Sequence, residues 1–160
     1  MSLVHTERIT GRTLVDDRLF ERLTHQVARD HRLETRLAER VVDQALAFLG
    51  ACATNPGAAL APSRLVDHGW HAFLLHTHEY AAFCDRIAGR FLHHRPEVGG
   101  ARANDVGVAT TTALRAAGYQ VDPELWAASA DCSEGSGGDG SDTSGSGGCA
   151  QCHQGCHNSN

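Results

Sequence analysis

The densest gathering of chemically able side chains is a nine-residue window, Cys149-Ala150-Gln151-Cys152-His153-Gln154-Gly155-Cys156-His157. It offers three thiols and two imidazoles. Zinc takes four such donors in a tetrahedron, and thiolates are the ligands that favour copper(I). A Cys-x-x-Cys spacing lets both sulfurs reach one ion, and Gly155 leaves the chain free to bring Cys156 and a histidine to it. Cys149, Cys152, His153, Cys156 and His157 are therefore the primary metal candidates, with zinc or copper(I) as the ion. The plainer reading is a reduced, thiol-bearing segment with incidental affinity. Structural zinc modules separate two ligand pairs by a folded element, whereas these ligands crowd into one stretch. The same window matches the Cys-x-x-Cys-His pattern of covalent haem attachment. Haem is disfavoured, because the only methionine is Met1 and the surroundings are Gly/Ser-rich rather than helical.

A second constellation lies in Val66-Asp67-His68-Gly69-Trp70-His71-Ala72-Phe73, continuing through His76, His78, Tyr80 and Cys84. Asp67 and His71 are four apart, and His68 and His71 three apart. On a helix each pair shares a face and could grip one ion or each other. Asp67, His68 and His71 are the secondary metal candidates. Along a continuous helix His78 would lie roughly 10 Å from His71, and His93 roughly 33 Å. Neither completes a site with His71 unless the helix breaks, for example at Gly89. His25, His31, Asp16 and Asp17 are candidate partners by residue type alone. The plainer reading is a carboxylate–histidine hydrogen bond that orients a buried imidazole beside Trp70.

Other chemistries lack their parts. No Gly-x-Ser-x-Gly frames a serine, and a chain without lysine has no Walker sequence. Cys52 follows Ala47-Phe48-Leu49, and Cys84 falls on an apolar face with Phe73 and Tyr80. Both read as inert core thiols, so no catalytic residue is assigned.

Helices have to position these groups. Leu19, Phe20, Leu23 and Val27 recur at helical steps and predict a helix from Asp16, with Asp16 and Asp17 in a first turn that favours negative charge. Leu37, Val41, Ala45, Leu46 and Leu49 predict a second, after a break near Asp30–Thr35 with Thr35 as cap. Asn55-Pro56-Gly57 stops it. A third is expected from Ser63 to about Arg90, ended by Pro96 and Gly99-Gly100. Its apolar face carries Val66, Trp70, Phe73, Tyr80 and Cys84. A fourth spans about Arg102 to Ala117 with Gly118 as its C-cap. Asp122-Pro123-Glu124-Leu125-Trp126 reads as a short helix with proline at its first position. The expectation is an all-α bundle of four or five helices over residues 15–130, after a polar lead-in over 1–14.

Composition supports that division. The chain has 160 residues and a net charge of −5. Residues 1–130 hold 14 Arg against 15 acidic side chains, whereas 131–160 hold four acidic and no basic ones. That last segment contains eight Gly, six Ser and no Ile, Leu, Val, Phe, Tyr or Trp. With no apolar surface to offset the entropy of ordering, it is expected to be disordered. The acidic balance argues against a nucleic-acid partner, and no apolar run is long enough to span a membrane. The N-terminal stretch lacks the apolar core of a secretion signal, so a cytoplasmic location with reduced thiols is expected.

The run from Val66 to Cys84 resembles the tryptophan–histidine motif of the glycine-rich domain-containing protein-like family, in particular its small actinobacterial members. Val66, Asp67, Trp70, His71, Tyr80 and Cys84 match that motif. Phe91-Leu92-His93-His94 and the Ala-Gly-Tyr-x-Val-Asp-Pro-x-Leu-Trp run ending at Trp126 add to the likeness, which covers about residues 15–126. Plant members carry a second histidine two residues after the first, where this chain has Phe73. The resemblance implies a helical fold and no established reaction.

Three functional readings follow, in order. The first is a non-enzymatic helical binding module whose Cys/His-rich tail holds zinc or copper. The second is a precursor with a leader-like helical domain. Its segment after Gly147-Gly148 would be cut or altered by a tail-modifying enzyme, although Gly137-Gly138 shows that paired glycines also occur as simple linker. The third is a metal-dependent enzyme using Asp67 and His71.

Overall fold

The computed structural model describes residues 8–95 and 103–127. Within them a single 3-10 turn, Gly11–Leu14, precedes six α-helices: α1 Asp17–His31, α2 Thr35–Thr54, α3 Arg64–Leu75, α4 Thr77–Ala88, α5 Ala103–Ala116 and α6 Pro123–Ala127. The all-α expectation holds. The described residues form no strand, only an isolated parallel bridge between Ile9 and Tyr119. None of their helices is long and apolar enough to cross a membrane. The expected tail, 131–160, lies outside the described residues, and with it Cys149, Cys152, His153, Cys156 and His157.

Helix α2 is the axis of the bundle. It touches the 3-10 turn, α1, α3, α4 and α5, and its run from Ala45 to Ala51 is buried on every side. A helix that is apolar all round must be central. Local chemistry sets the ends of its neighbours. The Asp16 side chain accepts the Leu19 N–H and caps α1, and the Ser63 hydroxyl accepts the Val66 N–H and caps α3. Gly118, at φ +90°, closes α5. Thr35 is not the cap of α2. It is the first helical residue, and Glu34 precedes it without a side-chain cap.

The polar lead-in holds a packed element. Gly11 is buried against α2 so tightly that a Cβ there would fall 1.9 Å from the Asp43 carbonyl oxygen. The main correction concerns the third helix. It does not run unbroken to Arg90 but breaks at His76, whose ψ of 67° interrupts it between α3 and α4. Neither proline nor glycine causes this. Packing does: α4 folds back so that Tyr80 and Phe83 both meet the Phe73 ring edge-on, at 5.1 Å. Leu75 is left exposed at the corner. A second reversal follows at Gly89, at φ +63°, and returns residues 90–95 toward α3.

Candidate metal centre

The Asp67-to-His71 spacing puts both side chains on one face of α3. The Nδ1 atom of His71 lies 3.0 Å from one Asp67 carboxylate oxygen and 3.0 Å from the Asp67 carbonyl oxygen. The reversal at Gly89 supplies a third group. His94 Nε2 reaches the other Asp67 carboxylate oxygen at 2.8 Å, across 27 residues of sequence. One potential ligand atom from each of Asp67, His71 and His94 lies within 4.8 Å of the others. Two imidazoles and a carboxylate are a ligand set suited to zinc and other divalent transition metals. Both nitrogens face oxygens, so each donates an N–H in the metal-free arrangement. An ion would take the place of those protons, which neutral imidazoles can carry on their far nitrogens.

The rings are oriented from behind. His94 packs on Trp70, with centroids 4.4 Å apart, and on His71 at the same separation. Trp70 donates its indole N–H to the Tyr80 hydroxyl at 2.9 Å, and that hydroxyl donates to the Leu92 carbonyl. Tyr80 is ten residues beyond Trp70, which on one continuous helix would separate their backbones by roughly 15 Å. The break at His76 is what lets them meet. The Tyr80 hydroxyl thus ties α3 to the segment that carries His94. Burial pushes its pKa above the ordinary tyrosine value. Gly69 adds the final condition: a Cβ there would lie 2.7 Å from the Ala45 Cβ, so glycine lets α3 sit directly on α2.

The more sheltered imidazole beside Trp70 is therefore His94, 17% exposed, and not His71, which is 54% exposed. Sequence reasoning reached Asp67 and His71 and missed His94. The available signal was Gly89, where a chain reversal lifts the distance limit on the histidines that follow. His68 does not join the group. It stacks on His31 at 3.7 Å, and burial first, then the His31 charge, lower its pKa below the ordinary 6.5. The candidates by type are placed elsewhere. Asp16 caps α1, Asp17 pairs with Arg12, and His25 is exposed on α1.

The group borders a cavity of about 910 Å³, walled by the C-terminal part of α2, the 57–62 linker, α3 and residues 90–95. Cys52 lies on this wall rather than in the core. Burial pushes its thiol up to about 12, so it is no nucleophile at neutral pH. Cys84 is buried, as expected.

The sequence matches the UCP032817-like family over residues 10–124. The chain belongs to that family. The part shared with the UCP032817-like family contains Asp67, His71 and His94, together with the break and the reversal that assemble them, and it ends before the Cys/His window at 149–157. No curated protein and no solved structure matches this chain.

Proposed function

We propose that this protein is a helical metal-binding module with an ordered divalent-metal site at Asp67, His71 and His94. The observation that carries the reading is the convergence of three donors, brought from α3 and from beyond Gly89, at the edge of a cavity. Zinc is the ion that best suits two imidazoles and a carboxylate, here two donors on α3 and one from the segment after Gly89. Cys149, Cys152 and Cys156, with His153 or His157, form a second, softer site for zinc or copper(I). Thiolates must lose protons to bind, so affinity at that second site falls as the pH drops below about 6. The Trp-His likeness to the glycine-rich domain-containing proteins is consistent with the ordered site, since Trp70 and His71 both belong to it.

The two sites separate in one experiment. The full chain carrying C149S, C152S and C156S is purified without chelators, and its zinc content and affinity are measured beside those of the same chain with D67N or H94A. One equivalent of zinc in the triple-serine chain, weakened more than about 100-fold by either second change, is the expected result. A triple-serine chain that takes up no zinc overturns the ordered site and leaves the group as a hydrogen-bonded brace.

A second reading, metal-dependent catalysis, is favoured by one observation. Three protein ligands would leave a coordination position open, as in catalytic rather than structural zinc sites, and all three line the cavity.

A further inference from the structure

The charged side chains lining the cavity beside the candidate metal group are mostly cationic. Arg64, Arg90 and Arg95 stand on its wall, and Asp67 is the only carboxylate among its described lining residues. Asp67 is already committed to two imidazoles. Among the described residues none of the three arginines is ion-paired; the described pairs use Arg12, Arg22, Arg29 and Arg40. Their positions bracket the group. Arg64 precedes Asp67 by one turn of α3, Arg95 follows His94 directly, and Arg90 is tethered to the end of α2 by a 3.0 Å bond to the Cys52 carbonyl. With a divalent ion in place, Asp67 and three guanidiniums would leave this wall four charges positive, a field that draws anions into a cleft with low-dielectric walls. The rest of the wall is largely apolar, with Phe48, Leu60 and Phe91 among it. A volume of about 910 Å³ suits a small organic molecule rather than a bare ion.

We propose that this cavity binds a small organic carboxylate with an apolar body, its carboxylate held by Arg90 and Arg95 and a remaining lone pair of one oxygen directed at the open coordination position. A planar guanidinium matches a carboxylate in a two-pronged contact, and the apolar wall takes the remainder of the molecule. The metal contact rests on the metal-binding reading above; the arginine contact does not.

The test uses the full chain with C149S, C152S and C156S, with and without cobalt(II) as a spectroscopic ion. The probes are 4-phenylbutyrate, its neutral amide and inorganic phosphate, followed by calorimetry and by the cobalt absorption bands. Binding of 4-phenylbutyrate that shifts the cobalt bands, with the amide and the R90Q chain each at least about tenfold weaker, is the expected result. Amide binding equal to that of the acid, phosphate competing as well as the organic acid, or no loss in R90Q overturns the proposal. The two readings fail separately. Cobalt uptake without 4-phenylbutyrate binding removes the carboxylate site alone. R90Q-sensitive 4-phenylbutyrate binding in a chain that takes no cobalt removes the metal site and sustains the carboxylate site.

Discussion

Two tryptophans flank the same phenylalanine and belong to polar clusters of opposite character. Trp70 and Trp126 lie 5.3 Å and 6.3 Å from Phe48, and each donates its indole N–H to an oxygen within the protein. Around Trp126 the oxygen belongs to Gln44, which uses its whole amide. Its carbonyl accepts from Trp126 and from the Asp122 N–H, and its NH₂ donates to the Gln120 carbonyl and to Asp43. Donors and acceptors match, and no valence is left over. Around Trp70 the chain of contacts passes through Tyr80 to the His94 segment and ends in three groups bearing lone pairs, beside open space. The first cluster is a clasp, complete within the fold. The second is organised by the fold and, on the proposed reading, is completed by an ion from outside it.

That contrast makes its strongest claim as a double dissociation. Gln44→Leu should destabilise the chain by about 3 kcal/mol in denaturant titration, because it strands several buried polar groups at once, while zinc affinity stays near that of the parent. His94→Ala should do the reverse, with zinc affinity falling more than about 100-fold and stability changing much less. Similar behaviour of the two variants in both measurements would erase the distinction.

The next effect tests whether α2 sets the position of the site. Gly69→Ala forces a Cβ into the Ala45 methyl, and the overpacking should cost about 2 kcal/mol while also weakening zinc binding. A loss confined to stability would mean that α3 can shift without moving the donors. Tyr80→Phe comes third. It removes the hydroxyl that joins Trp70 to Leu92, with an expected loss of about 1–2 kcal/mol and a fall in zinc affinity of about tenfold. Unchanged affinity would release Tyr80 from any positioning role.

How much of this was legible follows from which contacts are local. Asp67 and His71 are one turn apart, so spacing alone paired them. The core faces of α1, α2 and α3 follow from helical periodicity in the same way. The break at His76 was not legible, because no residue there disfavours a helix; it arises from Phe73, Tyr80 and Phe83 packing across it. His94 depended on that break and on Gly89 together. The buried Gly11 was equally hidden, since a glycine's value lies in what its missing Cβ would have struck. Gln44 stood in an apolar helix with no sequence hint of the four partners awaiting it.

The smallest expected effect is on the clasp side. Arg40 reaches both Asp122 and Glu124, and its hydrogen bond holds the Asp122 carboxyl below its ordinary 3.8. A carboxyl depressed on folding contributes stability above its unfolded pKa and loses that contribution as the pH falls through the folded value. The Arg40→Gln chain should therefore differ from the parent by less than about 1 kcal/mol at neutral pH, and the difference should vanish in acid. A difference that survives at low pH would belong to packing rather than charge.

The separation of 27 positions between Asp67 and His94 carries one more implication. An ion held by both is a cross-link. It closes a loop that includes the break at His76, all of α4 and the reversal at Gly89, and in the chain-entropy accounting used for disulfides a loop of that size is worth about 3–4 kcal/mol. Metal uptake would then be a reversible staple, shrinking the unfolded ensemble as a covalent bond does but released by a chelator rather than a reductant.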